Sequence, residues 1–294
     1  MEIVSIARCA ALGLALAAFG GCATQPKHFI DAADRSPPGG REAVVMVPQG
    51  EIRGQVLASQ AGAAFGLVGA LVDTGINQHR ANKAESAITP LRTELSDYSF
   101  DQQALARTQA TLAQLDWLGV RKTSFSKDTS KQNANAILDK SEAPEVLMAV
   151  YDYELTADFS AMQVNARFTI SPKAVPAGQS PDSRVKLEHA VYSQTFTYLF
   201  ALPTAGNDMT ANCGKWSESH ALAARAALDR GIERVNALLM RQLAATPDEL
   251  KKLSEGESIE ANGHKGKLIE QNDQGILLVD AAGTWVYVAR GSAG

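Results

Sequence analysis

Between Met162 and Ile170 apolar and polar residues alternate without a break: Met162, Val164, Ala166, Phe168 and Ile170 against Gln163, Asn165, Arg167 and Thr169. A period of two puts the apolar set on one face of a strand, so this segment reads as a half-buried strand that needs a cover on one side only. Beyond a Pro- and Gly-bearing loop, Val185 to Phe200 reads as a second long strand with Tyr192, Phe196, Tyr198 and Phe200 on one face. The two are expected to pair antiparallel with each other and with the strand before them, Val146 to Leu155. A sheet with one face on helices satisfies this alternation. A membrane hairpin is the alternative, since spanning strands need only about 9 to 11 residues. In that case Arg167, Lys186 and Glu188 would face a lumen, but no aromatic girdle flanks both ends.

The remaining elements follow from shorter patterns. Ala43 to Val47 is an unbroken apolar run closed by Pro48 and Gly50, the pattern of a strand buried on both faces. Val56 to Leu95 reads mostly as helix, with Pro90 near its end. Its first part holds Gly62, Gly66 and Gly69, a small-xxx-small spacing that lets two helices approach closely. The apolar run there is about 12 residues against the roughly 20 of a spanning helix. A helix packed on the sheet is therefore the first reading, with an oligomer contact or membrane insertion as alternatives. Ser99-Phe100-Asp101-Gln102 fits a capping box, and the helix it opens carries Leu105, Leu112, Leu115 and Leu118. Gly119 closes that helix, Val120 to Ser126 is a strand, and a short helix lies near Asn133 to Leu138. After a loop from Pro203 to Gly214, a helix from about Ser217 presents Leu228, Ile232, Val235, Leu239 and Leu243 to the core and stops at Thr246-Pro247. Lys267 to Glu270, Ile276 to Asp280 and Thr284 to Ala289 form a small meander. The expected fold class is α+β: a mixed sheet of about five strands with an antiparallel hairpin, packed by three or more helices, plus the C-terminal β-meander. This order over about residues 42 to 245 resembles the periplasmic domain shared by the amino-terminal part of TolB, the penicillin-binding-protein activator lipoproteins and the curli-secretion channel lipoprotein.

Ahead of the folded part, an apolar run from Ala10 ends in Phe19-Gly20-Gly21-Cys22, after which the sequence turns polar. This is the layout of a secretory signal. It resembles the lipobox of bacterial lipoproteins, with cleavage between Gly21 and Cys22. The resemblance implies that the Cys22 thiol receives a diacylglycerol and that the new amino end is acylated. Ala23, which is not Asp, implies the periplasmic leaflet of an outer membrane. More than one acyl chain makes such anchoring stable, at about 0.8 kcal/mol per buried methylene. The Gly62 to Gly69 spacing also resembles the glycine-zipper segments of some outer-membrane lipoproteins. The expected organisation is a signal over 1–21, a flexible tether over 22–41 carrying Pro37-Pro38 and Gly39-Gly40, an α/β domain over 42–247 and the meander over 248–294. Fully extended, the tether would reach roughly 60 Å, less if Phe29-Ile30 docks on the body.

The chemistry is sparse. No G-x-S-x-G, Walker A, H-E-x-x-H or C-x-x-C motif occurs in the 294 residues. Ser124-Phe125-Ser126-Lys127 matches S-x-x-K without its companion motifs. Of three cysteines, Cys9 lies in the signal and Cys22 in the lipobox, leaving Cys213 alone. It sits just before a predicted helix, where a thiolate would be favoured, although a partly buried small residue is the simpler reading. His28, His79, His189, His220 and His264 show no metal spacing, so no metal or other cofactor is expected. Glu218 beside His220 reads as an end-of-helix polar group. Asp152 and Glu154 share one strand face and read as the exposed end of the sheet, or as a carboxylate pair in a cleft. A net charge of −4 argues against nucleic acid as a partner. The expected function is non-catalytic: membrane attachment through N-terminal acyl chains and binding of another envelope protein. A subunit of an oligomeric secretion or channel assembly, hence a homo-oligomer, is the alternative, and an envelope hydrolase using Ser124 is the third reading.

Overall fold

The computed structural model describes residues 28–31, 34–55, 76–175, 177–253 and 255–290. In chain order the elements are β1 (Arg41–Met46), β2 (Arg53–Gly54), α1 (Ile76–Glu94), α2 (Phe100–Leu112), β3 (Val120–Ser126), α3 (Lys131–Lys140), β4 (Glu145–Leu155), β5 (Ala161–Pro172) and β6 (Tyr192–Ala201). They continue with α4 (Met209–Ala244), α5 (Pro247–Leu253), β7 (Ser258–Ala261), β8 (His264–Asn272), β9 (Gly275–Asp280) and β10 (Trp285–Ala289). The strands form one mixed sheet in the order β3-β1-β4-β5-β6-β10-β9-β8-β7, with β2 added on β4.

The α+β class holds, but the sheet has ten strands rather than about five. The cause is chiefly β10, which runs parallel to β6 with Trp285 opposite Phe196 and Tyr287 opposite Tyr198 and brings β7, β8 and β9 with it; the short β2 on β4 is the tenth strand. The C-terminal meander thereby extends the main sheet. It also gains β7, turned back into β8 at Asn262-Gly263, both with positive φ (48° and 81°). Asn-Gly suits such a two-residue turn because both positions need the left-handed region.

The central hairpin follows the alternation. β4 and β5 pair antiparallel from Glu145 opposite Pro172 to Leu155 opposite Met162, and β5 pairs with β6 down to Ile170 opposite Tyr192. β6 begins at Tyr192, not Val185: residues Pro181–Val185 and Leu187–His189 are 3-10 turns. Two features stop the strand there. Pro172 closes β5 and has no N–H for a ladder bond. The buried Arg184 also ties the connection to α3 through Asp139 at 2.8 Å and Asn135 at 3.2 Å.

On one face, Tyr151, Val164, Ala166, Phe168, Ile170, Tyr192 and Phe196 are sealed under α4 by Leu228, Ile232, Val235 and Leu239. This apolar face of β5 and β6 is covered by protein, so a lipid-facing hairpin of these two strands does not fit the described fold. Among the described residues no helix is long and apolar enough to cross a membrane. On the opposite face α3 covers Val44, Met46, Val146 and Met148, so β1 is buried on both sides as its composition requires.

Three local expectations are corrected. Ser99 precedes α2 but its side chain makes no capping bond. A capping box instead opens α5, where the Thr246 N–H donates to Glu249 Oε2 at 2.7 Å and the Glu249 N–H to Thr246 Oγ1 at 3.3 Å. α4 starts at Met209, with Asp208 accepting from the Ala211 N–H, and is interrupted by left-handed backbone at Ser219, His220 and Ala221. Finally, much of the expected tether is built into the body. Ile30 is buried, and the fully buried Arg41 guanidinium holds the carbonyls of Asp34, Arg35 and Leu118 as well as the Glu145 carboxylate.

Candidate functional site

Cys22, with the cleavage site after Gly21, and the helix-contact glycines Gly62, Gly66 and Gly69 lie outside the described residues. The other sequence candidates disperse. Ser124 Oγ donates to the Ala43 carbonyl at 3.3 Å, whereas Lys127 pairs with Asp101 of α2 at 2.9 Å. An S-x-x-K pair meets on a helix; here Ser124 is on a strand, where residues three apart leave by opposite faces. Cys213 lies inside α4 rather than before it, is buried, and has its thiol pushed up by burial, so the helix start does not activate it. His28 Nδ1 donates to the Ser193 carbonyl at 3.0 Å, His220 lies 3.2 Å from Glu94 of α1, and burial pushes the His264 imidazole down. His189 lies 3.5 Å from Glu188, and Glu218 sits in the interruption of α4. Among the described residues no three His, Cys, Asp or Glu side chains form a metal-holding group.

Asp152 and Glu154 are half-buried rather than at an exposed end of the sheet. Asn165 Nδ2 donates to Asp152 at 2.8 Å, Gln55 Nε2 donates to Glu154 at 2.6 Å, and Thr197 and Gln163 both donate to Asn165 Oδ1. Burial raises both carboxyl pKa values against the lowering effect of these amides. Each carboxyl thus accepts one amide hydrogen bond, within a polar seam that runs across β4, β5 and β6.

The open concavity is elsewhere. α4 projects Arg230, Glu233, Arg234 and Ala237 at i, i+3, i+4 and i+7, one helix face, toward Tyr198 and Phe200 of β6, Tyr287 of β10 and the β8–β9 turn. The cleft between them holds about 560 Å³. Gly231 permits this approach, since a Cβ there would lie 2.5 Å from Val164 Cγ2. The rings of Tyr198 and Tyr287 stack at 6.1 Å, and the Arg234 guanidinium lies 3.9 Å above Tyr287. Burial pushes the Tyr198 phenol up to about 12 and raises that of Tyr287, so both stay neutral at physiological pH. The Tyr287 hydroxyl is buried with no hydrogen-bond partner among the described residues. Arg230 and Arg290 make no ion pair among the described residues, and Arg234 makes a 3.4 Å contact with Gln274 Oε1. Guanidiniums of this kind match carboxylates by planar bidentate hydrogen bonds. Glu233 and Asp273 at the rim temper the positive charge, which suits spaced carboxylates better than a dense polyanion. The sequence carries the Arg230 and Arg234 spacing, but the β6–β10 pairing that makes the cleft joins segments about 90 residues apart.

No family model and no curated protein matches the sequence. Among solved structures, the chain has 11% identity to a PelC dodecamer from Paraburkholderia phytofirmans over 72% of this chain and 94% of that one, with a TM-score of 0.23. A second PelC dodecamer from the same organism, a variant, gives 12% identity over 62% and 89%, with a TM-score of 0.20. At these values the likeness places the chain in no family.

Proposed function

We propose that the chain is a non-catalytic lipoprotein, anchored through acyl chains on Cys22 at the periplasmic face of the outer membrane, whose domain binds an acidic segment of another envelope protein. The observation that supports the binding role is the cleft, where Arg230 and Arg290, without ion pairs among the described residues, and the ring-stacked Arg234 line the same space as the buried Tyr287 hydroxyl. Arginine and tyrosine in a concave, partly desolvated setting are the side chains that dominate protein interfaces. The cleft also lies well away from the chain's entry point. His28 docks at Ser193, whereas the cleft takes Phe200, about 23 Å further along β6 at roughly 3.3 Å per residue. A partner in the cleft therefore does not compete with the anchor.

The test is cross-linking in intact envelopes with the anchored protein, comparing the parent with an Arg230→Ala/Arg234→Ala double variant of equal abundance. Loss of about 1.4 kcal/mol of binding lowers the yield of one specific adduct roughly tenfold. An unchanged adduct pattern would refute the cleft as the binding surface.

A second reading, a subunit of a homo-oligomeric secretion or channel assembly, is favoured by the outer edge of β3. This seven-residue strand has no partner on that side among the described residues, and Phe125 on it is 37% exposed. Such an edge is a template for pairing with another chain. Sedimentation of the lipidated protein in detergent separates the readings: a discrete ring that collapses with Thr123→Pro supports the second, and a strict monomer removes it.

A further inference from the structure

The point where the chain joins the body limits how the body can sit on a membrane. His28 Nδ1 donates to the Ser193 carbonyl at 3.0 Å, the His28 carbonyl accepts from Gln242 of α4, and its ring covers the β9–β10 turn, where a Cβ on Gly283 would lie 3.0 Å from Nε2. Ile30 is buried beside it. Cys22 precedes His28 by six peptide units, which span at most about 20 Å. The far end of the sheet, at Phe200 and Ala289, stands a further strand length away. The end carrying the β5–β6 connection and the β9–β10 turn is therefore the one nearest to a surface that holds Cys22.

The same end carries an unusual share of exposed apolar surface. Phe29, Val175 and Leu187 are 37%, 38% and 38% exposed, three of the five large apolar side chains exposed among the described residues. Leu187 lines a small cleft with His28 and Gly283, directly at the entry point. Nearby, Lys186 pairs with Glu188 and Lys131 with Asp182, while Arg167 in the same cleft makes no ion pair among the described residues. Apolar side chains ringing a lipid attachment point are suited to the headgroup and acyl boundary.

We propose that the β5–β6 connection and the β9–β10 turn lie flat against the phospholipid surface, with Phe29, Val175 and Leu187 inserted into it and the arginine cleft directed away. This rests on acylation of Cys22. The test uses the full lipidated protein in phosphatidylethanolamine and phosphatidylglycerol vesicles. An environment-sensitive fluorophore is placed at Leu187→Cys or, at the other end, at Leu222→Cys, a residue 65% exposed; Cys213 is buried. The expected result is a blue-shifted label at 187, quenched several-fold more by headgroup-borne quenchers than the label at 222. The mass of the amino-terminal peptide is read on the same sample. Acylated protein with equal quenching at both positions, or more at 222, would overturn the orientation while leaving the anchor intact. A mass without acyl chains would overturn the anchor and the orientation with it.

Discussion

On one side of β5, Val164, Ala166, Phe168 and Ile170 are sealed beneath α4, while on the other Gln163, Asn165 and Thr169 lie in a seam of amides, hydroxyls and carboxylates. Alternate residues of one strand thus serve two unlike environments. The apolar side gains stability from area removed from water, about 25 cal/mol per Å², and tolerates neither lost nor added volume. The polar side gains little net from each hydrogen bond but loses much when a partner is removed. The contrast teaches that one strand can be held by buried area on one side and by matched partners on the other.

This contrast can be broken from either side. The largest effect is expected for Phe168→Ala, which empties a fully buried site packed edge-on against Tyr151 and Phe196; it should cost about 3–5 kcal/mol in chemical denaturation. Overpacking the same face should come next: Gly231→Ala forces a methyl against Val164 and Tyr198 and should cost about 1–3 kcal/mol. On the polar face, Asn165→Ala leaves Asp152 and Thr197 without their amide and should cost about 1–2 kcal/mol, less than the loss of Phe168. A loss for Asn165→Ala equal to that for Phe168→Ala would contradict the division of roles.

The smallest effect is one of pH. The Asp152 carboxyl has its pKa raised by burial, so the folded state holds the proton more tightly than the unfolded chain does. Its contribution is present below the unfolded value of about 4 and is lost as pH rises through the folded value. Asp152→Asn keeps an acceptor for Asn165 and removes this loss. Its melting temperature should exceed that of the parent at pH 7, and the gap should close below about pH 4. A gap that widens toward acid would mean that the carboxylate is held as an anion.

Much of the helix-side face was legible from the chain alone. The alternation at 162–170 and the stripe Leu228, Ile232, Val235, Leu239 and Leu243 identify the side chains that meet under α4, because burial imposes period two on one partner and 3.6 on the other. Strand neighbours were not legible where sequence neighbours do not pair: β10 beside β6 doubles the expected sheet and builds the cleft, yet nothing local to Thr284 to Ala289 indicates it. Asn262-Gly263 is a hairpin signal written in the sequence, and it joins β7 to β8. Cys213 and the start of α4 were misplaced because the interruption at 218–221 breaks the helical period, and the cap at Asp208 lies beyond it. Ser99 shows the converse, a capping pattern whose side-chain bond does not form.

Attachment of the chain to a membrane through Cys22 is tested most directly by mass spectrometry of the mature amino terminus from the membrane fraction. The expected peptide begins at Cys22 and carries diacylglycerol on sulfur and an acyl chain on nitrogen. A mature chain that begins elsewhere, or an unmodified Cys22, would contradict it.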